Sequence, residues 1–174
     1  MMKKTIQLLA VSLIALSSLL ITSCKKDSAG PSGNQSLNSG QGEVRFNYSG
    51  SQSGSFQSTL AFTQVAASGG ITQIAATVVS GTSAKTVQIV FPTNIAVGSS
   101  SQATAGADLA NGFLMAFTAG STGWAIGGGT GSGFTVTITK NTGTEMEGTF
   151  SGELGSDNDP SKVTTASGYF HCKL

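Results

Sequence analysis

The chain has 174 residues, of which 10% are charged and 24 are glycines, and its formal net charge is +1. Globular domains usually contain about 25% charged residues and about 7% glycine, so serine, threonine, glycine and glutamine carry the polarity here. From Glu43 onward, five cationic and seven anionic side chains give 5 − 7 = −2. Because no basic patch could neutralise phosphates, we expect no nucleic-acid binding.

The first 23 residues have the pattern of a secretion signal. Lys3 and Lys4 form a positively charged start, and an apolar stretch from Leu8 to Ile21 follows. A single-pass membrane helix and an ordinary secretory signal cut elsewhere are the alternatives. The stretch is short and interrupted by serines, which makes it marginal as a membrane span. Neither alternative accounts for the position of Cys24.

The residues Leu20-Ile21-Thr22-Ser23-Cys24 resemble the lipobox of bacterial lipoproteins. In that motif a branched apolar residue and two small residues precede a cysteine that is diacylated, exposed by cleavage and often N-acylated. The resemblance implies a mature chain that starts at Cys24 and carries acyl chains such as palmitate. Each buried methylene of such a chain contributes about 0.8 kcal/mol of membrane affinity.

These features predict three segments along the chain. Residues 1–23 are expected to be a lipoprotein signal peptide, and residues 24–42 a lipidated cysteine followed by a flexible linker. The linker is rich in serine, glycine and asparagine and contains Pro31, so it cannot order itself by burial, and its expected reach is on the order of 20 Å. Residues 43–174 are expected to form the folded domain.

The domain shows the alternation of apolar and polar residues that is typical of strands. The clearest example is Phe134 to Thr139, with Phe134, Val136 and Ile138 on one face. The other predicted strands are Val44 to Tyr48, Ser55 to Val65, Ile71 to Val79, Lys85 to Phe91, Gly112 to Thr118, Gly123 to Ile126, Thr144 to Leu154 and Lys162 to Lys173. Only Ala103 to Ala110 indicates a short helix. We therefore predict an all-β fold, an antiparallel β-sandwich or closed barrel of about 8–10 strands.

The penultimate predicted strand carries an unusual combination of residues. Its glutamates Glu145, Glu147 and Glu153 share the outward face, where they are expected to be solvated and to resist aggregation. Gly148 and Gly152 take inward positions on the same strand. Glycine at such positions predicts close packing against a neighbouring ring, or a bend.

The sequence offers little for catalysis. His171 is the single histidine and has an outward position on the last strand. No G-x-S-x-G motif occurs, and nothing in the sequence places a carboxylate beside His171. The glycine run at 127–133 lacks the lysine and the following helix of a phosphate loop, and zinc would need more His or Cys ligands than the mature chain offers. We therefore expect no enzymatic activity, no cofactor and no metal centre.

Two weaker candidate sites remain. Asp157, Asn158 and Asp159 could supply oxygen ligands to calcium, although an Asx-turn explains the same residues. Trp124 is the single tryptophan and could form a ligand platform if exposed, but its phase with Ile126 predicts a core position.

A short signature recurs as Ser53-Gly54-Ser55-Phe56, Gly148-Thr149-Phe150-Ser151-Gly152 and Ser167-Gly168-Tyr169-Phe170. Together with the lipobox, residues 133–174 resemble the small lipid-anchored β-proteins of unknown function that Bacteroidota encode. The resemblance implies a β-fold and an outer-membrane location, on the periplasmic side or at the cell surface. It implies no activity.

The expected function is therefore that of a monomeric, membrane-anchored lipoprotein whose non-enzymatic β-domain binds a partner or is structural in the cell envelope. The partner could be a protein, a glycan or a small ligand. The alternative is a lipocalin-like carrier with an apolar ligand in a barrel cavity. A close-packed interior favours the first hypothesis and a continuous apolar cavity the second. A hydrolase is a third possibility and requires His171 in a cleft with an acid beside it.

Overall fold

The computed structural model describes residues 37–58, 63–98, 100–103, 113–126 and 133–174. The predicted signal peptide and Cys24 lie outside these residues, as do residues 104–110 of the predicted helix. Within the described ranges, no helix has the length and apolar character that a membrane span requires.

The described residues form β-strands and turns and contain no helix, which confirms the predicted all-β class. The eleven strands are β1 (Gly42–Gly50), β2 (Gly54–Gln57), β3 (Thr63–Ser68), β4 (Ile71–Ser80), β5 (Ser83–Pro92), β6 (Ser100–Ala103), β7 (Leu114–Ala119), β8 (Thr122–Ala125), β9 (Phe134–Asn141), β10 (Glu145–Ser156) and β11 (Val163–Lys173).

All strands belong to one antiparallel sheet that curls strongly into a half-barrel. The strand order is β2-β1-β11-β10-β8-β7-β5-β4-β3, with β9 paired to β10 and β6 paired to β9. Strand β10 is the branch point of this sheet. One side of β10 pairs with β11, whereas the other side pairs first with β9, from Met146 to Ser151, and then with β8, at Gly155 and Ser156.

The strands differ from the sequence prediction at two places. The single strand predicted from Ser55 to Val65 is two strands, because β2 pairs with β1 whereas β3 pairs with β4. Strand β6 is new and ends at Ala103, where the sequence indicated a helix. Alternation of apolar and polar residues in a sequence assigns side chains to faces but does not identify the pairing partner. The pattern therefore could not reveal that β2 and β3 pair with different strands.

The interior is filled by aromatic side chains. Ten buried rings form one continuous set of contacts, with centroid separations from 4.9 to 6.2 Å between neighbours. These rings belong to Phe46, Tyr48, Phe56, Phe91, Phe113, Phe117, Trp124, Phe134, Phe150 and Phe170. Aromatic pairs favour such separations, so the rings from different walls of the half-barrel hold one another in place.

Both glycines predicted to face inward on β10 are packed as expected. A Cβ atom at Gly148 would lie 2.6 Å from Cζ of Phe170, and β10 has a bulge between Glu147 and Gly148. Gly152 has φ +152°, and a Cβ there would collide with the backbone of Phe134. The predicted ring contact and the predicted irregularity are therefore both confirmed.

The two ends of the sheet meet along a short seam between β1 and β3. Strand β2 pairs only with Arg45 to Tyr48 of β1, so the start of β1 is open to another partner. The Val65 amide donates to the Gly40 carbonyl oxygen over 2.8 Å. Next to this contact, Gln41 and Gln64 form an isolated antiparallel bridge.

A buried hydroxyl completes the seam. The Ser58 side chain accepts hydrogen bonds from the Val44 amide (2.9 Å) and from the Thr63 hydroxyl (2.5 Å). It also donates to the Val44 carbonyl oxygen over 3.3 Å. Ser58 therefore joins β1 to the start of β3.

Candidate functional site

The outward side of strands β9, β10, β11 and β1, which we call the outer polar face, carries hydroxyl, carboxylate, imidazole and cationic side chains. Antiparallel pairing aligns these side chains into rows across the sheet. One row contains Glu147, His171 and Glu43, and the next contains Thr149, Tyr169 and Arg45. A third row begins with Thr135 on β9 and continues through Ser151 and Ser167.

Short hydroxyl side chains in the second and third rows form a shallow depression of about 250 Å³, which we call the hydroxyl groove. It is lined by Thr135, Thr137, Thr149, Ser151 and Ser167, with Phe150 and Gly168 beneath them. Longer side chains flank the groove, because Tyr169 is paired with Thr149 and Arg45 with Tyr169.

The groove hydroxyls on β10 and β11 are free to bind a ligand. Thr149, Ser151 and Ser167 are exposed. Among the residues that the structure describes, these three hydroxyls make no side-chain hydrogen bond. Each hydroxyl can donate one hydrogen bond and accept two, so the groove presents a grid of uncommitted donors and acceptors.

A charged cluster lies next to the groove, in the row of Glu147 and His171 and the row beyond it, and we call it the Glu–His–Lys cluster. It contains Lys140 of β9, Glu145 and Glu147 of β10, and His171 of β11. His171 Nε2 lies 2.7 Å from Glu145 Oε1 and 3.7 Å from Glu147 Oε1. Lys140 Nζ lies 2.6 Å from Glu145 Oε2 and 3.5 Å from Glu147 Oε1. The side chains are 17 to 41% exposed, so the cluster is partly screened from water.

The charges in this cluster stabilise one another. The hydrogen bond from Lys140, followed by that from His171, lowers the pKa of Glu145. In turn, the hydrogen bond to Glu145 raises the pKa of Lys140. Both shifts favour the charged forms.

The sequence analysis missed this cluster because the carboxylates and His171 are far apart in the chain. The β10–β11 pairing places Glu147 directly opposite His171. The β10–β11 hairpin could have revealed the cluster. Counting residues outward from its turn aligns Gly155 with Val163 and then Glu147 with His171. The three glutamates expected to be a solvated face are therefore not equivalent: Glu145 and Glu147 are engaged within the cluster.

The arrangement around His171 bears on catalysis. The acid that a hydrolase would require is now beside this histidine, on the outer side of the half-barrel. His171 Nε2 is hydrogen-bonded to the Glu145 carboxylate, so a reaction that used this histidine as a general base would have to use Nδ1.

The predicted calcium candidate forms a turn. Asp159 Oδ1 accepts hydrogen bonds from the Ser161 amide (3.1 Å) and hydroxyl (2.7 Å), which confirms the Asx-turn alternative. Asp159 Oδ2 lies 3.5 Å from Lys162 Nζ, and the Asn158 amide group donates to the Ser121 carbonyl oxygen. The hydrogen bonds from Ser161 and the nearby Lys162 lower the pKa of Asp159. Its oxygens are therefore engaged by protein groups.

Trp124 and Cys172 both lie in the core. Trp124 is 1% exposed, stacks on Phe117 and donates its indole N–H to Ser51 Oγ over 3.3 Å. Its core position is confirmed, and it cannot serve as an exposed ligand platform. Burial raises the pKa of the Cys172 thiol to about 12, as expected for an unreactive core residue.

A second depression, with a volume of about 640 Å³, lies at one end of the sheet. Its walls come from turns and strand ends and include Gly69, Ile71, Pro92 and Asn141. It is open to solvent, unlike the aromatic interior.

Comparisons of the chain with models of protein families, with curated proteins and with solved structures found no match.

Proposed function

We propose that this protein is a lipid-anchored binding module of the bacterial cell envelope and that its hydroxyl groove binds a glycan. The anchor is Cys24, in the context of the lipobox-like residues described above. The linker that follows Cys24 gives the β-domain reach from the membrane. The observation that carries the binding proposal is the groove of hydroxyls on β9, β10 and β11, in which Thr149, Ser151 and Ser167 are exposed and make no side-chain hydrogen bond to another described residue.

A glycan suits the chemistry of this groove. Sugar hydroxyls both donate and accept hydrogen bonds, and the side chains of Thr149, Ser151 and Ser167 can do the same. The groove contains no charged lining residue, which favours a neutral ligand over a phosphorylated or acidic one. Tyr169, paired with Thr149, supplies an aromatic side chain at the edge of the groove.

The groove is also rigid, which favours binding. Its residues lie on three strands that are hydrogen-bonded along their lengths. Their opposite faces carry Val136, Phe150 and Ala166, which are buried in the core. Side chains on such a support lose little additional freedom when a ligand binds.

The packed interior supports a surface module more than a carrier. A lipocalin-like carrier needs an apolar cavity that side chains do not fill. Here the continuous ring contacts occupy the space between the walls, and Phe117, Phe134 and Phe170 are each at most 1% exposed. The carrier alternative therefore has no supporting observation among the described residues.

The binding proposal can be tested by affinity electrophoresis in gels that contain dextran, starch or a β-glucan, together with cosedimentation with purified peptidoglycan. We expect retardation or cosedimentation of the wild type with at least one of these glycans. The double variant Thr149→Ala/Ser151→Ala should lose it, because two hydroxyl contacts of about 1 kcal/mol each correspond to more than a tenfold weakening.

A matched control tests whether the loss is specific. Thr77 and Thr86 form a hydroxyl pair (3.2 Å) on β4 and β5, away from the groove. The double variant Thr77→Ala/Thr86→Ala should bind like the wild type. Wild-type protein that binds none of the glycans, or equal binding by the groove variant, would refute the glycan proposal.

The anchor is tested separately. Expression in a Gram-negative host with labelled palmitate should label the wild type, and the label should follow the membrane fraction. Cys24→Ala should abolish both labelling and signal cleavage, because the cysteine thiol is the nucleophile that forms the thioether bond to the diacylglyceryl group, and cleavage exposes this modified cysteine. Labelling of the Cys24→Ala protein would show that the lipid is attached to another residue and would refute the assignment of Cys24.

A further inference from the structure

We infer that Glu145, Glu147 and His171 form a binding site for a divalent transition-metal ion. This site lies one row away from the hydroxyl groove, and its test does not depend on glycan binding. No metal-binding motif marks it in the linear sequence, because the two carboxylates and the imidazole meet only through the pairing of β10 with β11.

The donor atoms already converge. One ligand atom from each of the three residues lies within 4.8 Å of the others. Metal–nitrogen and metal–oxygen bonds of about 2.0–2.2 Å place neighbouring donor atoms roughly 3–3.5 Å apart in a tetrahedral site. The Glu145–His171 separation is 2.7 Å and the Glu147–His171 separation is 3.7 Å. These two separations are therefore each within about 1 Å of the distances that a metal site requires.

The hydrogen bond between Glu145 and His171 occupies the position where the metal would lie. A proton shared between an imidazole nitrogen and a carboxylate oxygen can be replaced by a metal ion that bonds to both atoms. Glu147 then supplies the third protein ligand, and the fourth position stays open to water, as in zinc sites with three protein ligands.

The chemistry of these donors favours a transition metal over calcium or magnesium. One imidazole and two carboxylates suit zinc and the neighbouring first-row divalent ions, whereas calcium takes six to eight oxygen ligands. The three residues also lie on adjacent strands whose inward neighbours Met146, Phe170 and Cys172 are fully buried. The core therefore holds the backbone of the three ligand residues in place.

Lys140 has two opposing effects on such a site. It hydrogen-bonds Glu145 Oε2, the oxygen that does not contact His171, and thereby orients Glu145 Oε1 toward the site. Lys140 Nζ also lies 3.5 Å from Glu147 Oε1, and a bound metal ion would replace this contact. Its positive charge, however, repels a divalent cation a few ångströms away. Removal of this charge should strengthen metal binding, an effect that no purely structural role of the cluster predicts.

The experiment is a titration of the full-length protein with zinc chloride by isothermal calorimetry, and with cobalt(II) followed by visible absorption. We expect one saturable ion per chain. Cobalt should give the weak ligand-field bands of nitrogen and oxygen ligands, without the intense near-ultraviolet absorption that thiolate ligands produce. That spectrum distinguishes the proposed site from adventitious binding at Cys24.

Isosteric variants assign the ligands while preserving the fold. Glu147→Gln and Glu145→Gln should each weaken zinc binding at least about tenfold. Glu153→Gln is the matched control, because Glu153 lies on the same strand six residues beyond Glu147, about 20 Å away. The control should bind like the wild type, and Lys140→Gln should bind several-fold more tightly.

Three results would overturn the inference. These are the absence of saturable zinc binding to the wild type, equal affinity in the Glu147→Gln and Glu153→Gln variants, and no increase in affinity in Lys140→Gln. Circular dichroism of each variant verifies that the β-fold is retained, so that a loss of binding reports on the ligand and not on the fold.

Discussion

At the scale of single residues, the tightest constraints are inward-facing small residues between aromatic rings. Gly168 of β11 is the extreme case, because a Cβ there would collide with the backbone of Arg45 and with Phe46. Its neighbours on β11, Ala166, Phe170 and Cys172, are fully buried. A glycine in the short signature S-G-Y-F thus has a packing reason that alternation alone does not show.

The Cys172 thiol provides a prediction for alkaline pH. Burial raises its pKa from 9.0 to about 12, so the native state retains a proton that the unfolded state releases. This contribution to stability is complete below about pH 8.5 and is lost as the pH rises toward 12, with a slope of about 1.4 kcal/mol per pH unit. Tyr169, whose pKa burial also raises from 10.0 to about 12, adds to the loss at higher pH.

We therefore expect the wild type to lose about 1.4 kcal/mol more stability than Cys172→Ala between about pH 8 and about pH 10. Urea unfolding at the two pH values, with both proteins in a Cys24→Ser background, measures the difference. Equal losses in the two proteins would contradict the assigned role of the thiol.

At the scale of elements, one side chain supplements the strand pairing of β8, which joins β7 along its whole length. This strand has four residues, and its contact with β10 is limited to Gly155 and Ser156. Trp124 compensates by stacking on Phe117, with ring centroids 5.6 Å apart, and by its hydrogen bond to Ser51 in the turn after β1. The indole therefore ties a short strand to the core and to a distant turn.

Trp124→Ala should destabilise the protein by about 3–5 kcal/mol, because it removes a large buried side chain. Trp124→Phe should cost less, since a ring remains and the main loss is a hydrogen bond of about 1 kcal/mol. Urea unfolding followed by circular dichroism measures both effects. Val79→Ala is the control: Val79 is 69% exposed, and its substitution should change stability by less than about 0.5 kcal/mol. A Trp124→Ala cost as small as the control would disprove this role.

At the scale of the whole molecule, the β1–β3 seam determines how the curled sheet is held together. Among the described residues, its hydrogen bonds include those of the Gln41–Gln64 bridge, the bond from Val65 to Gly40, and those of the Ser58 hydroxyl. We expect this short seam to be the first region to open in local fluctuations.

Ser58→Ala should destabilise the protein by about 1–3 kcal/mol, because the buried Val44 amide loses its acceptor. Hydrogen exchange should accelerate at the amides of Val44 and Val65 but not at Ile89, in the middle of β5. Ser39→Ala removes an exposed hydrogen bond to Leu174 and should leave both stability and exchange nearly unchanged. Uniform acceleration across all strands in Ser58→Ala would indicate global destabilisation without a distinct seam.

The sequence by itself determined the all-β class, the inward face of most strands, and the buried positions of Trp124 and Cys172, because a period of two directly reports which side chains share a face. It also indicated the tight packing at Gly148 and Gly152. The signal peptide, the lipidated Cys24 and the envelope location stay predictions, to be tested by the labelling experiment.

Only the tertiary structure decided which strands pair and in which register. Alternation assigns each residue to a face but not to a partner, since pairing depends on the turns and on packing between distant segments. For this reason the division of Ser55 to Val65 into two strands, the hydroxyl groove, and the meeting of Glu145 and Glu147 with His171 emerged only when β9, β10 and β11 were aligned. Both candidate sites combine residues of neighbouring strands, and these residues come together only once the sheet has formed.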